Sequence, residues 1–226
     1  PSLVGSEMCI RDRGRITPEI LEEWKKRIGL DLRIGNIFNT LASHEAIRNY
    51  VNGIGDINPL FRDEEYAKKT RYGALVAPPN WLMSVFPTWV LQGLPGVHAF
   101  HSGGDFEFYR PIYVNDRITP KCKFTGFDVK GSRFAGITVF EYQRSEYYNQ
   151  RGELVAKVDL WLIRAERRRA REKGKYSEIK LPHPWTEEEL EKVDEAVLSE
   201  KVRGREILWW EDVEVGEELP EVVKGP

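Results

Sequence analysis

Val76-Ala77-Pro78-Pro79-Asn80-Trp81-Leu82-Met83-Ser84-Val85-Phe86-Pro87-Thr88-Trp89-Val90-Leu91 carries apolar side chains on nearly every side of a helical projection. A surface helix keeps a polar face, so a helix that is apolar all round is one buried on every side. Pro78 and Pro79 suit its first turn, where missing N–H groups cost nothing, and Pro87 is expected to kink or interrupt it.

C-terminal to this segment, beyond Gly93, the period of the apolar residues changes to two. Residues 97–111, 117–129, 132–149 and 153–166 alternate or run apolar, rich in Thr, Phe, Tyr, Val and Ile, and read as strands. Asn149-Gln150-Arg151-Gly152 reads as the hairpin turn between the last two. N-terminal to the segment the period is helical. Thr17 caps a helix with Pro18 and Glu19 in its first turn, Ile20, Leu21, Trp24 and Ile28 on one face, and Gly29 at its close. A strand-like stretch over 32–41 follows. Ser43 caps a second helix, from His44 to about Gly53, with Ile47, Tyr50 and Val51 inward. Residues 63–71 read as a third, ending at Gly73. Helices first and antiparallel strands afterwards make an α+β class, and a curved antiparallel sheet wrapped around a buried central helix satisfies these constraints.

Composition narrows the function. The chain has 226 residues, 41% hydrophobic and 31% charged, with seven Trp and a formal charge of −2. A nucleic-acid binder would show a strong basic excess. No run of about 18 apolar residues is present to span a bilayer, and no secretory signal is recognisable, so a cytoplasmic protein is expected. Two cysteines, Cys9 and Cys122, make neither a disulfide framework nor a structural zinc site. No phosphate-binding glycine loop, metal-ligand cluster or nucleophile elbow occurs, and Ser84 lies in an apolar helix with no base nearby. No cofactor and no metal are expected.

The domain boundaries follow from composition. Residues 1–13 contain LVGSEMCIRDR, which resembles an in-frame translation of a sequencing-library adapter. This is expected to be a non-native stub, the alternative being a disordered terminus. Residues 14–165 form the folded domain. Residues 166–206 are about half charged and read as a solvated linker. Within it Thr186 and Glu189 form a capping box on a helix, and the Arg167-Arg168-Arg169 run is balanced by neighbouring acids rather than forming a nucleic-acid patch. Residues 207–226, opening on Trp209-Trp210-Glu211-Asp212, read as the truncated start of a second domain, and the chain as a fragment.

The loop Gly53-Ile54-Gly55-Asp56-Ile57-Asn58-Pro59-Leu60-Phe61 is the least ordinary in the chain. Short polar side chains around a stiff turn either hold a carboxylate in a working direction or merely form an Asx-turn leaving a helix. Here Tyr50-Val51-Asn52-Gly53-Ile54-Gly55-Asp56-Ile57-Asn58-Pro59-Leu60 resembles the hydratase motif of MaoC-like dehydratases and (R)-specific enoyl-CoA hydratases. Gly73-Ala74-Leu75-Val76-Ala77-Pro78-Pro79 is similar to that family's entry to its central helix. Leu94-Pro95-Gly96-Val97-His98-Ala99-Phe100-His101, Phe108-Tyr109-Arg110-Pro111-Ile112 and Asn115-Asp116-Arg117-Ile118 are similar to its second and third strands. Trp210-Glu211-Asp212-Val213 is similar to the opening of a second hot-dog domain, so the chain most resembles the N-terminal, fatty-acid-synthase-type dehydratase domain of double hot-dog proteins.

The resemblance implies a hot-dog fold and reversible hydration of a trans-2-enoyl thioester, or the reverse dehydration of a 3-hydroxyacyl thioester. In the family an Asp and a His five residues later share the proton transfers, and backbone N–H groups at the helix start steady the thioester oxygen. Asp56 matches that Asp; Phe61 stands at the His position and cannot exchange a proton. The expected thioester-binding residues are Gly55, Asn58, Pro79, Asn80, Trp81, His98 and His101; the two histidines read first as a partly exposed strand end, the alternative being that they replace the lost His if they reach Asp56. His44 and His183 are assigned nothing. Trp81, Phe86, Trp89, Phe100, Phe106 and Phe108 are expected in the core, a few of them lining an acyl slot. The implied partners are an acyl-CoA or acyl-carrier-protein thioester and a second hot-dog domain, in cis or from another subunit. Two functions remain: the acyl-binding half of a dehydratase, or a non-catalytic binding and subunit-assembly module.

Overall fold

Odd-numbered residues from Val139 to Tyr147 are buried while the even-numbered residues between them are not, so this strand has one face against a core and one toward solvent. It belongs to a computed structural model that describes residues 14–35, 37–90, 94, 97–132, 136–166, 184–200, 208–218 and 223. The chain divides into two compact units, 1–175 and 176–226. The expected stub at 1–13, with Cys9, lies outside the described residues, as do Arg167-Arg168-Arg169 and His183.

In the first unit, helices α1 (Pro18–Lys25), α2 (His44–Gly53) and α3 (Glu64–Lys68) precede β1 (Val76–Ala77) and the short helix α4 (Leu82–Val85). Strands β2 (His98–Phe108), β3 (Ile112–Tyr113), β4 (Thr119–Ser132), β5 (Gly136–Tyr148) and β6 (Leu154–Ala165) follow. The main sheet is antiparallel in the order β2-β6-β5-β4, and β1 pairs separately with β3, Val76 facing Tyr113 and Ala77 facing Ile112. Register shifts at His101/Gly103, Phe124/Gly126 and Tyr147/Tyr148 bend the long strands. At the first of these, a Cβ on Gly103 would run into the Trp161 ring, so only glycine admits the close approach. The core fills the space between the inner face of this sheet and the helical segments, with Ile47, Val51, Trp81, Leu82, Val85 and Phe86 packed against Ile118, Tyr147, Ala156 and Val158. This is the α+β hot-dog arrangement that the alternation and the apolar segment call for.

Local signals act as anticipated at the caps and turns. The Thr17 hydroxyl accepts from the Ile20 N–H and the Ser43 hydroxyl from the Ala46 N–H at 3.1 Å. Asn149 closes the β5–β6 hairpin by accepting from the N–H groups of Arg151 and Glu153. α1 buries Trp24 edge-on against Phe124, ring centroids 5.4 Å apart, in a second apolar cluster with Ile16, Val97 and Val139.

Several expectations need correction. The buried helix is short: a 3-10 turn over Pro79–Trp81 leads into α4, and the helix stops because Phe86 takes extended backbone angles ahead of Pro87. The described residues of 32–41 form no strand; they meet β4 and the turn before it only at isolated bridges, Asp31–Lys123 at one end and Leu41–Arg117 at the other. Ile28 is exposed, so the buried face of α1 rests on Trp24. Phe100, Phe106 and Phe108 are also exposed, because they lie on an edge strand whose solvent face nothing in the described residues covers.

In the second unit, the Thr186 capping box opens α5 (Glu187–Leu198), with the Thr186 and Glu189 side chains and backbones bonded reciprocally. Trp210–Asp212 form a single 3-10 turn. Among the described residues no helix is long and apolar enough to cross a membrane.

Candidate functional site

The segment that leaves the helix at α4 runs along the buried face of β5 and is fastened to it by side chains spaced two apart. The Tyr147 hydroxyl donates to the Phe86 carbonyl at 2.8 Å and the Ser145 hydroxyl to the Thr88 carbonyl at 2.7 Å. The Gln143 amide takes both backbone groups of Val90, donating to its carbonyl at 2.6 Å and accepting from its N–H at 2.7 Å. Polar side chains thereby replace a neighbouring strand. Thr88 sits at φ +66 with its hydroxyl buried and unpartnered among the described residues, an unusual conformation for a β-branched residue. Deeper on the same face, the Glu141 carboxylate lies 2.9 Å from the Arg164 guanidinium, both side chains almost wholly buried. Burial raises the Glu141 carboxyl above its usual range, opposed by Arg164 and by Gln143, which donates to Glu141 at 2.5 Å.

The motif loop is built by α2 and held to itself. The Asp56 N–H returns to the Val51 carbonyl at 3.0 Å, and Gly55, at φ +66, supplies the left-handed step that a side chain would resist. Asp56 Oδ1 accepts from the Asn58 N–H at 2.8 Å, and Asn58 Oδ1 accepts from the Leu60 N–H at 3.0 Å, two successive Asx-turns leading into the 3-10 turn Pro59–Phe61. Arg62 clamps the loop from outside, donating to the Asp56 carbonyl at 2.8 Å and to Asn52 Oδ1 at 2.9 Å.

Next to this loop lies a cavity of about 590 Å³ lined by Leu60, Phe61, Arg71, Tyr72, Val76, Ala77, Pro79, Phe108, Tyr109, Arg110, Pro111, Ile112 and Tyr113. It spans the β1–β3 ladder, with Phe61 at its wall where the family's motif has histidine. Of the other residues picked out from the sequence, Pro79 and Phe108 also line it. Asp56, Gly55 and Asn58 do not, because their turn directs the polar groups to their own backbone. Trp81 is wholly buried in the core and does not line the cavity. Asn80 contributes its carbonyl to α2, accepting from the Tyr50 hydroxyl at 2.7 Å. His98 and His101 sit at the opening of β2, facing Ala165 and Leu162 of β6, with the His98 ring edge-on to Phe100 at 4.2 Å. No hydrogen bond among the described residues joins either histidine to Asp56.

The arginines and tyrosines of the cavity escaped the sequence reading. Their signal was two Arg–Tyr neighbours, Arg71-Tyr72 and Tyr109-Arg110, each placed just outside one strand of the β1–β3 ladder. The Glu141–Gln143–Ser145 alternation, polar on a face that the strand period makes internal, was equally legible and signals the buried network. Among the described residues no group of His, Cys, Asp and Glu is arranged to hold a metal.

The chain is 31% identical over 126 residues to a UPF0336 protein of Parafrankia sp. (strain EAN1pec), spanning 53% of this chain and 80% of that one. It is 26% identical over 157 residues to a probable enoyl-CoA hydratase alpha subunit of Thermomonospora curvata, covering 61% of this chain and 49% of that protein. The solved structure of the (R)-hydratase from A. caviae overlays 60% of this chain and 94% of its own, with a TM-score of 0.46 and 20% identity. Residues 34–158, more than half of the chain, match the family described as the FAS1-like dehydratase domain region. By that match, which takes in the motif loop, the cavity and nearly all of the main sheet, this protein belongs to the FAS1-like dehydratase domain family.

Proposed function

We propose that this chain is the acyl-thioester-binding half of a dehydratase or hydratase acting on 3-hydroxyacyl or trans-2-enoyl thioesters. The single observation that carries the reading is Phe61: the residue at the motif's histidine position forms a wall of the cavity and is apolar. A cavity lined mainly by aliphatic and aromatic groups suits an acyl chain, and a phenyl ring there adds contact area while removing the proton carrier. The names of two relatives support the same chemistry: the Thermomonospora curvata protein, and the (R)-specific enoyl-CoA hydratase of Aeromonas caviae, 30% identical over 70 residues. On this reading a second hot-dog domain, in cis or from a partner subunit, supplies the acid and base, and the ligand is an acyl-CoA or acyl-carrier-protein thioester.

One observation favours a second reading, a binding module that takes no part in catalysis. The Asp56 carboxylate is engaged by the Asn58 N–H and lies off the cavity lining, as in an Asx-turn with a purely local role. Crotonyl-CoA separates the two, followed by loss of its enoyl absorbance with the chain alone and with a second-half domain added. The proposal expects binding but no hydration by the chain alone, and hydration once the second half is present. Hydration by the chain alone that disappears in Asp56→Asn would overturn it. Binding with no hydration under either condition favours the module.

A further inference from the structure

Among the described residues lining the cavity, Arg71 and Arg110 are the only ionised side chains, and none is Asp or Glu. A protein of net charge −2 has here placed two guanidinium groups on one apolar depression. Arg71 is held over the Tyr72 ring, 5.0 Å from its centroid, and donates to the Tyr72 hydroxyl at 2.9 Å; it has no carboxylate partner among the described residues. Arg110 lies 3.6 Å from Glu153, but that carboxylate is shared, accepting from Arg151 at 2.7 Å and from Asn149 at 2.8 Å. The other nearby acid, Glu107, is taken up by Lys157 at 2.5 Å and by the Tyr109 hydroxyl at 2.6 Å. Neither acid is among the residues lining the cavity, where the ionised side chains are the two guanidinium groups. An apolar cavity with one guanidinium that has no carboxylate partner among the described residues and a second that shares its carboxylate favours a ligand that is itself apolar along its body and anionic at a point, since the planar fork of Arg matches the oxygens of a carboxylate or phosphate.

We propose that Arg71 and Arg110 form an anion subsite in this cavity, selecting thioesters that carry a carboxylate or phosphate group over neutral ones. This rests on the thioester-binding reading above and adds the charge class of the ligand to it. The anion has two possible sources: the phosphates of the thioester's carrier arm, or a second carboxylate at the far end of the acyl chain.

Calorimetric titration of the full chain distinguishes them with three probes. These are crotonyl-pantetheine, which is neutral; crotonyl-CoA, which adds phosphates on the arm; and glutaconyl-pantetheine, which adds only a distal carboxylate. At least one charged probe is expected to bind about tenfold more tightly than the neutral one. That advantage is expected to vanish in the Arg71→Gln/Arg110→Gln double variant and to return in part in Arg71→Lys/Arg110→Lys, which keeps the charge without the fork. An advantage for crotonyl-CoA alone identifies the phosphate source, and one for glutaconyl-pantetheine alone the carboxylate. Equal binding of all three, or a charged-probe advantage that survives the glutamine substitutions, overturns the subsite. Pyrophosphate and glutarate serve as separate arms. If neither thioester class binds but one of these anions does, and the double variant loses it, the subsite stands while the thioester reading fails.

Discussion

The hydroxyl of Tyr147 donates to the carbonyl of Phe86 at 2.8 Å, joining the middle of the sheet to the residue at which the buried helix ends. Phe86 is the first of three alternate residues, with Thr88 and Val90, whose backbone is satisfied by side chains of β5 rather than by a strand. Both groups of the Tyr147–Phe86 bond are buried, and burial also pushes the phenol well above its usual range. Tyr147→Phe is therefore expected to leave the carbonyl unsatisfied and to cost about 1–3 kcal/mol, read as a lowered urea midpoint with an unchanged slope.

The Glu141–Arg164 pair is expected to be essential as a pair and dispensable as such. Glu141→Leu removes the Glu141 carboxylate from the buried Arg164 guanidinium, at a cost of about 3–5 kcal/mol. Glu141→Leu/Arg164→Met replaces both by apolar groups and is expected to recover most of that loss. Thermal denaturation of the single and double variants checks it; a double variant no more stable than the single one would show that the polar network itself holds the fold.

Cys122 is buried, and loss of hydration pushes its thiol up to about 11. The thiol of the unfolded chain ionises near the ordinary value of about 8.5. Above that pH the unfolded state therefore binds fewer protons than the native one. Stability contributed by the protonated thiol is complete below the unfolded value and falls as pH rises toward the folded one. Chemical denaturation between pH 8 and 11 is expected to show this decline, and Cys122→Val to flatten it. At neutral pH, peptide mapping after treatment with a thiol reagent is expected to find Cys122 unmodified until denaturant is added.

Phe61→His tests whether the residue at that position alone silences this half. The imidazole exchanges apolar wall for a polar ring, and crotonyl-CoA is expected to bind about tenfold more weakly. Hydration is not expected to appear, because the Asp56 carboxylate stays on the Asn58 N–H, away from the cavity lining. Absorbance loss with the variant alone would show that the loop rearranges to complete the dyad.

Local chemistry was written in the order of residues. Thr17, Ser43 and Thr186 cap helices because a short hydroxyl reaches the free N–H groups of a first turn whatever the rest of the chain does. The period-two apolar pattern marked β4, β5 and β6 because alternate side chains of a strand must face opposite sides. The apolar segment at Trp81 marked the core because nothing on it tolerates water. The motif loop, its Asx-turns and the absence of histidine at Phe61 were likewise readable, since each depends on residues within a few positions.

Tertiary structure decided what depends on distant neighbours. Residues 86–90 look helical by composition, yet Pro87 and the three polar side chains of β5 offer that backbone better partners than a continued helix does. Phe100, Phe106 and Phe108 have the composition of a core strand, but their strand falls at a sheet edge, and edge position follows from pairing order rather than residue type. Arg71 and Arg110 stand 39 positions apart and meet at one cavity only because β1 pairs with β3. Spacing along the chain settles which groups can serve a helix or a turn; which groups share a cavity is settled by strand pairing, and that is what brings two arginines to one wall of this site.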